Sequence, residues 1–437
     1  MPPPSHRHRT DKGGSTIVKP TGAAPLKNLQ QRYDTALVVA STAGSWALSL
    51  VALYALDHVV APFDSSHLVG AGSGKRPGLR WDAIHFVGVA TGGYVHEQQL
   101  AFQPGWHGLL RLFGSAVASV RGRGVATVTT DDVLAGALLL SLLARVVANL
   151  ALYHLTRTLF GRRAALTTSL LYALPPAPAT LCAPYTESVY AAFFFSGLYA
   201  TACRRYVVAA LLFAGMTSVR ATGVFAGLVL AWQVVVVDLD LFAALRRDGG
   251  GIVPKALARL VYAAALYAII VAPFLAFQAY SYLSFCVPTP TRPWCSATLP
   301  FAYSFVQREY WNVGPFRYWT LSQLPNFAMA GPVLYITLKG LFTHLGSIAS
   351  SSLSRIAHLD TGIYLHQLLM MALLIVSSHT QIALRLAATD PVVWWTVAAS
   401  ALGNKGDLGK TAKVWLWWVC IWGAVSLVLW SGHYPPA

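Results

Sequence analysis

The chain has 437 residues, of which 55% are hydrophobic and only 11% charged, and its 32 Lys and Arg against 16 Asp and Glu give a formal net charge of +16. A soluble domain carries about a quarter charged residues, so composition excludes a cytosolic enzyme, a disordered chain and a small secreted disulfide scaffold, and predicts an all-α multi-pass membrane protein. The basic residues sit between apolar runs and not on a soluble module, which suits the orientation of spans and contact with anionic lipid, and argues against nucleic acid as a partner.

Residues 1–34 are polar, include Pro2, Pro3 and Pro4, and carry Arg7, Arg9, Lys12, Lys19, Lys27 and Arg32 against Asp11 and Asp34. They predict a disordered cytosolic tail, and the first apolar run, 36–56, then reads as a signal anchor with no cleavable signal peptide before it. Residues 35–437 read as one transmembrane domain. Further apolar runs lie at 133–155, 165–181, 186–202, 206–217, 219–237, 256–279, 326–343, 362–385, 389–402 and 413–431. With roughly 20 residues per span they predict about eight to eleven spans, several broken by Pro or Gly. Gly249, Gly250 and Gly251 form a flexible connector whose neighbours Arg246, Arg247 and Lys255 favour the cytosolic side.

Two long segments fit no span. The first, 57–131, faces the lumen if the N-terminus is cytosolic, and its stretches Trp81–Tyr94 and Pro104–Phe113 are expected as helices lying in the membrane interface. The second, 281–325, is dense in Pro, Tyr and Trp. It holds Cys286 and Cys295, which either close a short disulfide loop in an oxidising compartment or stand as two free thiols. Cys182, Cys203 and Cys420 lie in apolar runs as packing residues.

Three motifs fall short of the chemistry they suggest. His96-Glu97-Gln98-Gln99-Leu100 lacks the second histidine of a zinc-protease helix, and Gly70–Arg76 lacks the first Gly and the final Ser or Thr of a phosphate-binding loop. Asp238-Leu239-Asp240 has the spacing of a metal–nucleotide-sugar motif, but it follows Val234–Val237 directly and reads as a helix end. No metal site and no cofactor are expected.

The chemistry is expected around Arg80-Trp81-Asp82-Ala83-Ile84-His85-Phe86. A carboxylate beside a Trp at the interface is partly desolvated and strengthened as a base, and Asp82 and His85, three residues apart, share a helix face. The competing reading makes Asp82 a helix cap or an interface anchor. Pro184-Tyr185-Thr186-Glu187-Ser188 puts a carboxylate at the start of an apolar run, facing a polar cavity or partner, or simply favoured by the helix dipole. Arg220, inside an apolar run, either neutralises a phosphate or pairs with Glu187. Arg145, also in an apolar run, is expected in a structural pair. Gln278, the stretch Trp311–Trp319, and Gln323-Leu324-Pro325-Asn326-Phe327 interleave aromatics with amides, which suits sugar contacts and an interfacial aromatic belt equally.

Taken in order, these segments together with Ala101-Phe102-Gln103-Pro104-Gly105 and Arg220-Ala221-Thr222-Gly223 resemble the GPI mannosyltransferase 2 (PIG-V type) family from about residue 36 to the end. Trp106-His107 and Ala221-Thr222 depart from the usual pattern. The resemblance implies a GT-C type glycosyltransferase, multi-pass in the endoplasmic reticulum membrane, with 57–131 as its lumenal catalytic loop. It implies dolichyl phosphate mannose as donor, the mono-mannosylated GlcN-(acyl)PI precursor of GPI anchors as acceptor, and an α1,6 linkage formed with inversion. Asp82 would be the catalytic base, and Trp81, His85, Glu97, Gln103, Glu187, Arg220, Gln278, Gln323 and Asn326 would bind substrate. The resemblance leaves room for a small membrane accessory subunit. The rival class is a lipid or solute transporter or flippase, which predicts two similar halves with paired broken helices; the chain shows no such symmetry. A non-catalytic scaffold subunit is the third class.

Overall fold

The computed structural model describes residues 23–63, 76–124, 127–241, 252–288, 291–350, 356–403 and 407–434. Gly70 to Lys75, the glycine connector at 249–251 and residues 1–22 of the basic tail lie outside the described residues. Among the described residues there are helices and no strands. Five helices among the described residues are long and apolar enough to cross a membrane: Leu29–Val59, Thr130–Phe160, Val253–Phe285, Leu359–Ser377 and Lys410–Ser431. The runs from 165 to 237, and the run at 389–402, instead fold as shorter helices, with breaks at Pro175-Pro176, at Pro184, at Cys203-Arg204-Arg205 and at Arg220. These include α5 (Arg162–Tyr172), α6 (Pro178–Cys182), α7 (Glu187–Ala202), α8 (Tyr206–Val219) and α9 (Gly227–Ala231).

The first helix, α1 (Ala23–Val59), fixes the polarity of the molecule. Near its start, buried Asp34 accepts two bonds of 2.7 Å from Arg162 and one of 2.8 Å from the Tyr153 hydroxyl. Near its end, Asp57 pairs with Arg80. Residues 23–34, expected within the disordered tail, therefore open α1, because the buried Asp34 ties the helix start to α5 and to α4 (Thr130–Phe160). The cluster around Asp34 marks the far face, and the Asp57–Arg80 pair marks the site face.

α4 begins with a capping box. Asp132 N–H donates to Thr129 Oγ1 at 3.3 Å, and Asp132 Oδ2 accepts from Thr129 N–H at 3.1 Å. Arg121 and Arg123 close on the same carboxylate. The helix ends at Gly161, whose φ of 86° a side chain would resist. At 31 residues it is about 46 Å long, enough to run from one face to the other. α3 (Pro104–Val120) packs so tightly on it that a Cβ at Gly136 would stand 2.5 Å from the Phe113 carbonyl carbon. Arg145, inside α4, meets no acid among the described residues. Its Nη2 donates to the Ala173 carbonyl at 2.9 Å and lies 3.4 Å from Ser45 Oγ, so the expected structural pairing is made with neutral oxygens.

The two long segments meet on the site face. α2 (Asp82–Gly92), α3 and the short turn Glu97–Ala101 carry the first. The second follows α10 (Ile252–Phe285) and includes α11 (Ala302–Glu309). Glu97 joins them, accepting from Trp294 Nε1 at 2.8 Å and from the Tyr310 hydroxyl at 2.7 Å, with Arg292 Nε at 3.1 Å. Cys286 and Cys295 are disulfide-bonded, which decides between the two readings of that pair.

Candidate active site

α2 begins at Asp82, so the carboxylate holds the first helical position, where unpaired N–H groups favour an anion. The turn into the helix is strained, since Trp81 sits at φ 51°, in the left-handed region that bulky residues avoid. Its indole N–H donates to the Tyr434 carbonyl at 2.9 Å. Behind it, Arg80 is clamped by Asp57 and by the Arg76 and Leu79 carbonyls at 2.9 and 3.2 Å. These contacts hold Asp82 on a fixed support.

α7 begins at Glu187, which is fully buried. Its Oε1 accepts from Arg385 Nε at 2.9 Å and Nη2 at 2.8 Å, and from Arg220 Nη1 at 3.2 Å. Arg385 reaches Asp82 Oδ2 with Nη1 at 3.3 Å, and its guanidinium lies 4.6 Å from the centre of the Tyr185 ring. Asp82, Arg385, Glu187 and Arg220 thus form a chain of alternating charge. The Asp82 and Arg220 side chains, at its two ends, are 28% and 22% exposed, while Glu187 and Arg385 in the middle are buried. A buried charge pair persists only when its charges and hydrogen-bonding atoms are matched. Here two guanidinium groups share one carboxylate oxygen.

Arg220 stands where α8 stops, at φ −146° and ψ 135°, so the chain turns and exposes its guanidinium beside the Tyr190 ring at 5.8 Å. Two glycines permit this close packing. A Cβ at Gly223 would lie 2.5 Å from Thr217 N, and one at Gly105 would lie 2.3 Å from Ser218 Oγ. Gly105 thereby docks the Gln103-Pro104-Gly105 segment against the end of α8.

The other expected residues fall into two groups. Close to the charge chain lies His85, on the turn after Asp82, with its ring 5.8 Å from Phe102 and 5.9 Å from Trp311. Burial holds this imidazole below its usual range, against the opposing pull of Asp82. Gln103 stands at the residue before α3 and is buried, with neither amide atom hydrogen-bonded among the described residues. Gln278 Oε1 accepts from the Tyr303 N–H at 3.1 Å, and its Nε2 is buried without a partner among the described residues. The second group supports the site. Glu97 joins the two long segments as described. Asn326 Nδ2 donates to Gln323 Oε1 at 2.5 Å and to the Tyr318 hydroxyl at 2.8 Å, and that hydroxyl donates to Gln381 Oε1 at 2.5 Å. Gln381 lies four residues before Arg385, so Gln323 and Asn326 brace the segment that carries the central arginine.

Residues 75–437 match the family described as Mannosyltransferase (PIG-V). The chain belongs to the PIG-V mannosyltransferase family. A GPI mannosyltransferase 2 from Cryptococcus neoformans var. neoformans serotype D is 41% identical over 415 residues, covering 89% of this chain and 96% of the relative. One from Aspergillus fumigatus is 30% identical, covering 82% and 81%. Among solved structures, the Archaeoglobus fulgidus oligosaccharyltransferase aligns over 90% of this chain and 53% of its own, at 15% identity and a TM-score of 0.49, too low a likeness to carry an argument.

As a PIG-V family glycosyltransferase, the protein has one residue at the centre of its charge chain that the sequence reading passes over. Arg385 lies at the end of the apolar run drawn over 362–385. The rule that singles out Arg220, a charge within apolar surroundings, applies equally to Arg385. The helix in fact stops at Ser377, and Arg385 sits on the short helical turn Ala383–Leu386 between two longer helices. Asp238-Leu239-Asp240 lies at the end of the helical turn Trp232–Val237, on the far face.

Proposed function

We propose that the protein transfers the second mannose of GPI anchors in α1,6 linkage, from dolichyl phosphate mannose to the mono-mannosylated GlcN-(acyl)PI precursor. It does so as a GT-C type enzyme in the endoplasmic reticulum membrane, with 57–131 on the lumenal side. Membership of the PIG-V family and the names of the relatives support this reading. The observation that carries it is the charge chain, with a reachable carboxylate at one end and a reachable guanidinium at the other.

In this reading Asp82 takes the proton of the acceptor hydroxyl as the acceptor oxygen attacks C1 of the mannosyl group. The bond from C1 to the phosphate oxygen breaks, and dolichyl phosphate leaves with the electron pair. A single displacement inverts the β-linked donor to an α-linked product. The leaving group is already a phosphate, so positive charge serves it better than a proton, and Arg220 supplies that charge. Glu187 and Arg385 hold the two ends apart and oriented. Trp81 and His85 face the sugar, and Gln103 and Gln278 offer their unpaired amide atoms to substrate hydroxyls. Glu97, Gln323 and Asn326 keep the surrounding segments in place.

The test is complementation of cells that lack the second GPI mannose. The full chain is expected to restore surface GPI-anchored protein and the dimannosylated intermediate. An expressed, membrane-inserted chain that restores neither overturns the reading.

A further inference from the structure

A polar cavity lies at the far face. Its volume is about 240 Å3, room for roughly eight waters. α7 opens at Glu187 in the charge chain and ends at Ala202 on the cavity wall, about 24 Å away along a helix of 16 residues. A second helix, α12 (Leu359–Ser377), makes the same crossing. Leu359 lines the cavity, and the Ser377 carbonyl accepts from Gly314 N–H at the site face. The cavity is therefore separated from the site by about the thickness of a hydrocarbon core and lies at headgroup depth.

One wall is a π-helical turn, Trp232–Val237, a rare geometry often found at functional sites. It is held by the Trp232 indole N–H, which donates to the His358 carbonyl at 3.0 Å. Gly362 allows the close approach, since a Cβ there would lie 2.8 Å from the Trp232 ring. The turn places Gln233 on the cavity lining, 5% exposed. Its Nε2 donates to Asp238 Oδ1 at 3.0 Å, which fixes the amide orientation, and its Oε1 has no partner among the described residues. A buried acceptor with no protein donor takes its hydrogen bond from water or from a ligand with N–H or O–H groups, and the cavity has room for either.

The charges are complementary in a specific way. Asp238 is met by Arg204 at 3.6 Å and Arg259 at 3.7 Å, so two guanidinium groups face one carboxylate and one positive charge is left over. Arg204 is on the cavity lining and largely exposed. Across the cavity, Asp360 accepts from Thr361 N–H at 3.1 Å and otherwise faces His344 at 4.0 Å. The cavity thus offers one cation, one carboxylate and one unpaired amide oxygen, with Leu159 and Val237 as an apolar floor.

We propose that this cavity binds the headgroup of a zwitterionic aminophospholipid, phosphatidylethanolamine, from the leaflet opposite the catalytic face. Its phosphate pairs with Arg204, and its primary ammonium donates to Gln233 Oε1 and Asp360. Phosphatidylcholine carries the same charges but has no N–H group. Phosphatidylinositol has hydroxyl donors but no cation for Asp360. The assignment is independent of which sugar is transferred.

The experiment is native mass spectrometry of the full chain, equilibrated with equimolar dioleoyl phosphatidylethanolamine, phosphatidylcholine and phosphatidylinositol. One retained phosphatidylethanolamine is expected, in at least fivefold excess over either competitor. Gln233→Leu and Asp360→Asn should each cut that retention at least fivefold. If Asp360→Asn fails to fold, Gln233→Leu, which keeps side-chain size, carries the test. Equal retention of phosphatidylcholine, preference for phosphatidylinositol, or unchanged retention in Gln233→Leu overturns the proposal. Displacement of the bound lipid by soluble phosphoethanolamine at equal concentration overturns the lipid as the source of the ligand.

Discussion

Arg385 and Asp82 are 303 positions apart in the chain, yet Arg385 Nη1 lies 3.3 Å from Asp82 Oδ2. The same guanidinium holds buried Glu187 at 2.8 Å. One arginine therefore sets the position of the expected base and neutralises the carboxylate behind it.

For Asp82, the expected result is near-complete loss of mannosyl transfer in Asp82→Asn, at wild-type abundance. The amide keeps size and hydrogen bonding but cannot accept the acceptor's proton. Transfer assays on membranes with matched protein levels check this, and substantial transfer by the variant would falsify the base role.

Arg385→Gln should lower both abundance and activity, because Glu187 then keeps a single cationic partner in a buried setting. Removing one partner of a buried pair costs about 3 kcal/mol or more. The double variant with Glu187→Gln should regain abundance but not transfer, since Asp82 is still unbraced. Immunoblots and transfer assays on the same membranes separate the two effects. Full recovery of transfer in the double variant would reduce Arg385 to a purely structural role.

Arg220→Gln should behave differently. Glu187 retains Arg385, its closer partner, so the protein should stay folded. The loss should appear as at least a tenfold rise in the KM for dolichyl phosphate mannose. A drop in abundance with an unchanged donor KM would make Glu187, and not the donor phosphate, the partner that matters.

Topology gives a fourth expectation. A glycosylation acceptor engineered near Gly72 should be modified, and one placed in residues 1–20 should not. The disulfide between Cys286 and Cys295 lies in the segment that Glu97 joins to the first, and suits the same oxidising side. The reverse glycosylation pattern would put Asp82 on the side opposite the one a lumenal reaction requires.

His107 provides a pH signature. Burial pushes its imidazole down to about 3 from its ordinary 6.5, and its Nδ1 lies 2.9 Å from the Tyr94 hydroxyl. Above pH 6.5 the ring is neutral in both folded and unfolded states. Below it, only the unfolded state takes up the proton, so stability falls by about 1.4 kcal/mol per pH unit until the folded pKa is reached. The thermal midpoint of the purified protein should drop between pH 7 and pH 5, and His107→Gln should flatten part of that drop.

The amino-acid sequence by itself determined the membrane class, the basic entry to the first span, the two long segments between spans and the residues Asp82, Glu187 and Arg220. These follow from local properties. Hydrophobic length, the sign of nearby charge and a carboxylate next to an indole act on the chain wherever it folds. The tertiary structure decided the rest. Asp34 is buried near the start of α1, where Arg162 and Tyr153, more than a hundred residues later, close around it. Among the described residues five helices have the length and apolarity to span, and the shorter helices Arg162–Tyr172, Glu187–Ala202 and Tyr206–Val219 pack on α4 and on one another. Glu187 met both Arg220 and Arg385, where the sequence offered Arg220 a choice between Glu187 and an outside phosphate and pointed to no second arginine. Partners in a buried charge network are chosen by the packing of helix ends, and distance along the chain carries no record of that choice.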